Sequence, residues 1–257
     1  MMIKNKPLIL VVNDDGFFSP GIQFLISVMR EIGKVFVIAP DSNRSGVSHG
    51  MTLHEDIYIK KINNKLNEFI CSGTPVDCVK IGVNKILPRL PDLCVSGINH
   101  GSNHSINSLY SGTLHGALEG AIQGAPSISF SHLRYSEKIN FTPFHQFIKT
   151  ISIDVLNNKF PKDIVLNVNF PDVDSSKIKG AKICTQGKGK WTEKFKQTKT
   201  EKDKTFYSIK GDFRYDTTEK DTDSWALVNN FISIVPININ CSDNNAFKVL
   251  KKIEYVF

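Results

Sequence analysis

The sequence predicts an α/β fold, a doubly wound and mostly parallel sheet followed by a C-terminal β-rich extension. Three observations carry the prediction. Short apolar, β-branched runs alternate with helical patterns over residues 1–172 of the 257-residue chain. The first strand, helix and strand fit within about 40 residues, as a βαβ unit requires. Polar, glycine-bearing clusters stop the strands, at the carboxyl edge where such sheets bind ligands. Residues 1–172 are read as the core and 173–257 as the extension, together one structural domain.

The first strand is the run Leu8-Ile9-Leu10-Val11-Val12, ended abruptly by Asn13-Asp14-Asp15-Gly16. An unbroken apolar run suits a strand buried on both faces. Ile22, Leu25, Ile26, Met29 and Ile32 then recur at helical spacing, with Ser19 or Pro20 as the start and Gly33 as the stop. Val35-Phe36-Val37-Ile38 is the second strand. The segment Asp41–Gly50 has no periodicity and leaves the sheet at the same edge as Asp14. Ile57-Tyr58-Ile59 and Glu68-Phe69-Ile70 flank an Asn63-Asn64 turn and read as a hairpin. Thr74 and Pro75 suit the N-cap and first position of a helix, with Asp77 in its first turn complementing the dipole. Leu93-Cys94-Val95 is a further strand, broken by Ser96-Gly97-Ile98-Asn99. Ser111-Gly112-Thr113 opens a small-residue helix, Leu114–Gln123. Ser127–Phe130, Phe144–Asn157 and Ile164–Val168 complete the alternation as strand, helix and strand. Beyond Asp172, a lysine-rich stretch, Phe206–Phe213 and Asn229–Ile239 read as extended pieces, and Asp243–Lys252 as a terminal helix.

A hydrophobic content of 40% is that of an ordinary globular protein with a sizeable core. There is no long apolar stretch and no cationic-then-apolar leader, so neither a membrane span nor a signal peptide is expected. Five cysteines, scattered without CxxC spacing, argue for a reducing compartment and against a disulfide framework or zinc site. The cytoplasm is the expected location. The net charge of +7 favours anionic partners, and much of it lies in Lys182–Lys204. That block has few arginines and little aromatic interleaving, and Glu193, Glu201 and Asp203 partly neutralise it. It reads as a solvated excursion rather than a nucleic-acid arm.

The polar clusters Asn13–Gly16, Asn43–Gly46 and Ser96–Asn99 sit at three strand ends, and Ser111-Gly112-Thr113 at a helix start. In a parallel sheet these face one way and can converge on one crevice. Two adjacent acids repel unless a cation, a proton or a hydrogen-bond network offsets the repulsion. Two carboxylates, a hydroxyl and an amide oxygen offer a divalent ion a mixed oxygen shell, completed by water, as magnesium or manganese requires. Backbone N–H groups and the Ser111 and Thr113 hydroxyls offer an anion site. A divalent ion beside a phosphate cradle implies phosphoryl chemistry.

A series of motifs runs along the chain, from Val12-Asn13-Asp14-Asp15-Gly16 with Pro20-Gly21-Ile22, through Ala39–Gly46 and Thr52-Leu53, to Gly73–Val79. It continues with Val95–Asn103, Tyr110-Ser111-Gly112-Thr113, Thr222–Ala226 and Ser233–Pro236. In content and order these motifs resemble those of the survival protein E (SurE) family of metal-dependent 5′- and 3′-nucleotidases. The resemblance implies that Asp14, Asp15, Ser45 and Asn99 are metal ligands. It implies that Asn103 and the Ser111-Gly112-Thr113 turn hold the phosphate. It also implies a Rossmann-like core, with the C-terminal extension used in homodimer or homotetramer assembly. The implied substrates are nucleoside monophosphates, and for some members short polyphosphate. The chain departs from the family after Pro236, where it reads Ile237-Asn238-Ile239-Asn240-Cys241-Ser242, and in the Lys182–Lys204 block.

On this reading Asp14 and Asp15 bind metal, and one of them also orients or deprotonates the attacking water; the sequence does not say which. Thr113 serves the phosphate or caps its helix, and Arg44 meets a phosphate or projects into solvent. His49, His100, His104 and His115 are read as surface or packing residues. Two alternatives have other chemistry. In one, the crevice is a non-catalytic module that binds metal and nucleotide. In the other, Asp14 or Asp15 takes the phosphoryl group covalently.

Overall fold

The first apolar run forms β1 (Leu8–Val12), and all five of its residues are buried. Its alternation sorts the core into two layers. Ile9 and Val11 pack with Ile22, Leu25 and Met29 of helix α1 (Pro20–Ile32). Leu8, Leu10 and Val12 face the other way, onto Cys78 and Val79. Each fully buried aliphatic side chain of this kind contributes about 1.5–3 kcal/mol. The computed structural model describes residues 6–63, 66–136, 138–158 and 160–253.

After α1 come β2 (Lys34–Pro40), β3 (Ile59–Asn63), β4 (Asn67–Cys71), α2 (Pro75–Ile81), β5 (Leu93–His100), α3 (Gly112–Ile122), β6 (Ser127–His132), α4 (His145–Asn157) and β7 (Ile164–Phe170). The C-terminal part adds β8 (Ala181–Ile183), β9 (Gly189–Glu201), β10 (Lys204–Tyr215), α5 (Asp223–Val228), β11 (Ile232–Asn238) and α6 (Asn244–Leu250). Nine strands form one sheet in the order β3-β4-β2-β1-β5-β6-β7-β11-β8. The run β4-β2-β1-β5-β6-β7 is parallel throughout, so these strand ends share one edge. β3 on β4 and β11 on β7 are antiparallel. β9 and β10 make a separate two-stranded ribbon, whereas β8 and β11 join the main sheet.

The expected α/β architecture is what the chain adopts, with local differences. The expected hairpin forms between β3 and β4, but its first strand runs Ile59–Asn63 rather than Ile57–Ile59, and β4 also lies parallel to β2. Residue Asn64 of its turn is outside the described residues. Asp77 does more than complement a dipole: it closes a capping box with Thr74 and accepts from the Thr52 hydroxyl at 2.7 Å. The stretch Ser96–Asn99 does not break its strand. β5 runs buried to His100, and only its register with β6 shifts between Ser96 and Asn99. Gly97 permits this, with φ of +128° and a position where a Cβ would lie 2.2 Å from the Phe130 carbonyl oxygen. Part of Asn229–Ile239 is a helix end and loop, and only Ile232–Asn238 is strand.

Helix α3 lies unusually close to the sheet. A Cβ on Gly116 would meet Ser96 Oγ at 3.2 Å, and one on Gly120 would meet Cys94 Cβ at 2.7 Å. These glycines, four residues apart, form the face that allows the approach. The helix start is thereby brought down onto the end of β1. Among the described residues, no helix is long and apolar enough to cross a membrane.

Candidate active site

The strand β1 delivers Asn13, Asp14 and Asp15 to the sheet edge as its apolar run stops. Asn13 shapes the turn: its amide donates to Gly16 O at 2.9 Å and to Ser19 Oγ at 3.1 Å. Ser19 is the N-cap of α1 by position, yet its side chain makes no cap bond and serves Asn13 instead. Asp14 is buried, and the Thr113 hydroxyl donates to its Oδ1. A Cβ on Gly112 would lie 2.9 Å from Asp14 Oδ2, so a glycine here lets the helix start approach the carboxylate closely. Asp15 is half-buried, and its Oδ2 accepts from the His100 backbone N–H at 3.1 Å.

Burial, and then the neighbouring Asp15 charge, push the Asp14 carboxyl up to about 7. Burial raises Asp15 to about 6, against the opposing His100 N–H. Among the described residues, no lysine, arginine or histidine forms an ion pair with either carboxylate. Nor does any group of three or more His, Cys, Asp or Glu side chains cluster as a metal cage. Two adjacent acids, one buried and one half-buried, with no ion-paired cation among the described residues, fit a hard divalent ion whose remaining ligands are neutral oxygens.

Two neighbouring segments carry the other expected oxygen donors. The loop after β2 is tied to the pair by the Arg44 N–H, which donates to the Asp14 carbonyl at 2.7 Å. Ser45, next in sequence, is exposed in a turn closed by its own N–H on Asn43 Oδ1 at 2.8 Å. Asn99 is buried at the end of β5, and its Nδ2 donates to Gly101 O at 2.7 Å, which turns its amide oxygen the opposite way. The Arg44 side chain is partly exposed to solvent. Its guanidinium folds back onto Ser72 O at 2.8 Å and sits 3.7 Å from Asp41.

Of the expected phosphate-holding residues, Ser111, Gly112 and Thr113 form the start of α3, while Asn103 is tied to β6 and β7. Ser111 is the N-cap of α3, with its Oγ accepting from Leu114 N at 2.9 Å. Thr113 does not cap; its hydroxyl is committed to Asp14. Asn103 is buried, its N–H on Asn169 Oδ1 at 2.8 Å and its amide on Ser131 Oγ at 2.7 Å. Asn167, in turn, donates to Asn103 O at 2.9 Å. This network went unread in the sequence. Its signal was present: Asn167 and Asn169 interrupt the apolar run of β7, and Ser129 and Ser131 alternate with Ile128 and Phe130 in β6.

A cleft of about 610 Å³ opens beside Asp15 and Ser45. Its wall includes Phe17, Phe18, Asp41, Asn43, His100 and Tyr135. Asp14, Asn103, Ser111 and Thr113 are buried.

A mostly parallel sheet whose carboxyl edge presents two adjacent acids, one of them bonded to a helix N-terminus, defines an α/β enzyme scaffold with an acidic site. Residues 9–193 match the family Survival protein SurE, and the chain belongs to that family. The protein named 5′-nucleotidase SurE from Flavobacterium psychrophilum is 49% identical over 249 residues, covering 96% of this chain and 97% of that one. Its namesake from Flavobacterium johnsoniae is 46% identical over 252 residues, covering 97% of each. The crystal structure of the SurE protein of Aquifex aeolicus superposes with a TM-score of 0.81 at 40% identity, over 95% of this chain and 98% of that one.

Proposed function

We propose that Asp14, Asp15, Ser45 and Asn99 hold one divalent ion, magnesium or manganese, and that Asn103 and the Ser111-Gly112-Thr113 turn hold the phosphate of a nucleoside monophosphate. The chain is a nucleotidase, like the relatives that carry that name. The products are a nucleoside and inorganic phosphate. Nucleoside 5′-monophosphates are the first substrates, with 3′-monophosphates and short polyphosphate as further ones. Membership in a family of enzymes leaves nothing to favour a non-catalytic module.

The observation that carries the site is the pair of adjacent carboxylates with no cationic neighbour among the described residues. When bound, a divalent ion supplies neutralising charge to the phosphoryl oxygens and acidifies the attacking water. The chain's own residues divide the remaining work. Thr113 fixes Asp14 through Oδ1, so Asp14 is the immobile member of the pair. Asp15 faces the cleft with Oδ2 held by the His100 N–H, which leaves Oδ1 to take the proton of the attacking water. The Ser111 end of α3 directs its first N–H groups at the phosphate oxygens.

The test is phosphate release from nucleoside 5′- and 3′-monophosphates with magnesium or manganese, with excess chelator, and with Asp15→Asn. Chelation and the substitution each abolish turnover, while circular dichroism of the variant matches wild type. Full activity under either condition overturns the proposal.

The exposed ribbon of β9 and β10 is the surface proposed for assembly into a homodimer or homotetramer. Five free cysteines, none in a disulfide, support a reducing, cytoplasmic location.

A further inference from the structure

Ser129 and Ser131 of β6 lie opposite Asn167 and Asn169 of β7, and all four side chains are buried. Residues two apart on a strand share a face, so the four form one polar square on the sheet. Their neighbours Ile128, Phe130, Val168 and Phe170 belong to the other face, in the core layer of α1. Strands buried on both faces are ordinarily apolar throughout. A buried polar group costs stability unless it is hydrogen-bonded, and an apolar pair of the same shape packs without that cost. Packing alone gives no reason for the square.

The bonds of the square converge on Asn103. That residue lies past the end of β5, in a stretch without regular secondary structure. Asn169 Oδ1 accepts from the Asn103 N–H at 2.8 Å, and Asn167 Nδ2 donates to Asn103 O at 2.9 Å. A carboxamide carries the same donor and acceptor as a peptide group, so the two asparagines stand in for a neighbouring strand. The direction of Asn167 is itself set. Its Oδ1 accepts from Ser129 Oγ at 3.1 Å and from Asn169 Nδ2 at 3.3 Å, which leaves Nδ2 to point at Asn103. Asn103 Nδ2 in turn donates to Ser131 Oγ at 2.7 Å.

We propose that Asn167, Asn169 and Ser131 are positioning residues for phosphate capture. They fix the main chain and the side chain of Asn103 together, so that its carboxamide meets the phosphate in one orientation. The inference rests on the reading that Asn103 holds the phosphate, and adds the residues that act through it. A group fixed before the substrate arrives leaves no ordering cost to binding.

The test is a double-variant cycle, read by inhibition with inorganic phosphate and by kcat/KM for a nucleoside monophosphate. Asn103→Ala and Asn169→Ala each raise the phosphate inhibition constant and lower kcat/KM roughly ten-fold. The half-saturating concentration of magnesium or manganese stays at the wild-type value. The double variant loses no more than Asn103→Ala alone. A general loosening of the fold would shift the metal dependence as well, and its loss would multiply with that of Asn103→Ala; either result overturns the positioning role. So does wild-type phosphate inhibition in Asn169→Ala beside weakened inhibition in Asn103→Ala. If Asn103→Ala is itself inhibited like wild type, the phosphate reading of Asn103 fails and the positioning role falls with it. Should Asn169→Ala show no cooperative melting transition, Ser131→Ala, which deletes a single oxygen, takes its place in the same cycle.

Discussion

His49 Nε2 lies 3.0 Å from Glu119 Oε2, and this contact ties the loop after β2 to helix α3. Glu119 is 2% exposed, and its second oxygen meets Lys80 Nζ at 2.8 Å and Gln123 Nε2 at 2.7 Å. Burial alone would raise its carboxyl; the hydrogen bonds from His49, Lys80 and Gln123 outweigh that and hold it below the ordinary range. The carboxylate therefore clamps the segment that presents Ser45 to the helix that presents Ser111. Glu119→Gln removes the charge and keeps the shape. Since His49 and Lys80 are about a third exposed and regain water, the expected cost is about 1–2 kcal/mol. Urea denaturation reads it. Phosphate release falls several-fold at the same time, because the loop is no longer held; unchanged kinetics would show that the clamp serves stability alone.

Thr113 tests whether Asp14 must be fixed. Its hydroxyl donates to Asp14 Oδ1 inside the protein. Thr113→Val keeps the volume and deletes that donor, at a cost on the order of 2 kcal/mol for a bond to a charged group. Turnover of a nucleoside monophosphate drops at least ten-fold, and Thr113→Ser restores most of it. Equal activity of the valine and serine variants would assign Thr113 a packing role.

These two contacts mark where the sequence was legible and where it was not. The sheet could be read because burial on both faces leaves unbroken apolar runs, as in Leu8–Val12, and because turn residues stop them. The ligand candidates could be read because Asp14, Asp15 and Asn99 lie in polar clusters that follow such runs, and because their motifs resemble the family's. Side-chain partners at long separation could not. Nothing local distinguishes a Thr113 that caps a helix from one that reaches a carboxylate 99 residues away. The same holds for Arg44, whose guanidinium turned to a carbonyl 28 residues distant. Ser96–Asn99 was read as a break because its polarity resembles a loop; the buried strand continues since Gly97 and the shifted register absorb the irregularity.

His132 gives the fold a pH dependence. It is 5% exposed at the end of β6, between Phe141 and Phe144, and its Nδ1 accepts from Arg134 N at 3.0 Å. Burial, aided by Arg134 and His100 and opposed by Asp172, lowers its pKa from 6.5 to about 4. The unfolded chain therefore takes up a proton that the folded chain refuses. Stability from this site is complete above pH 6.5 and is lost as the pH falls toward 4, by on the order of 3 kcal/mol at most. His132→Phe places a ring of similar size among the same aromatics. Its unfolding free energy changes less than that of wild type between pH 6.5 and 5, above the range where most carboxylates titrate. Parallel pH profiles for the two proteins would refute the assignment.

The ribbon of β9 and β10 is anchored at its base and bare toward its tip. At the base, Trp191 Nε1 donates to Asn107 Oδ1 at 2.8 Å, and His104 packs edge-on to Tyr215 with centroids 4.7 Å apart. Further out, Phe195 pairs directly with Ile209, and Tyr207 lies two residues along the same face. These three are 64%, 67% and 60% exposed. A two-stranded ribbon is marginal by itself in water, and an apolar stripe on one of its faces needs a cover. The flanking Lys194, Lys196 and Lys199 keep the isolated ribbon soluble without hiding that stripe. A second copy of the chain is the cover proposed here, which makes the stripe the place to break the assembly. Phe195→Lys with Ile209→Lys puts cations directly opposite each other on the contact face, where like charges repel. In sedimentation velocity the wild type runs as a dimer or tetramer and the double variant as a smaller species. A variant that sediments unchanged would show that the ribbon is not the contact.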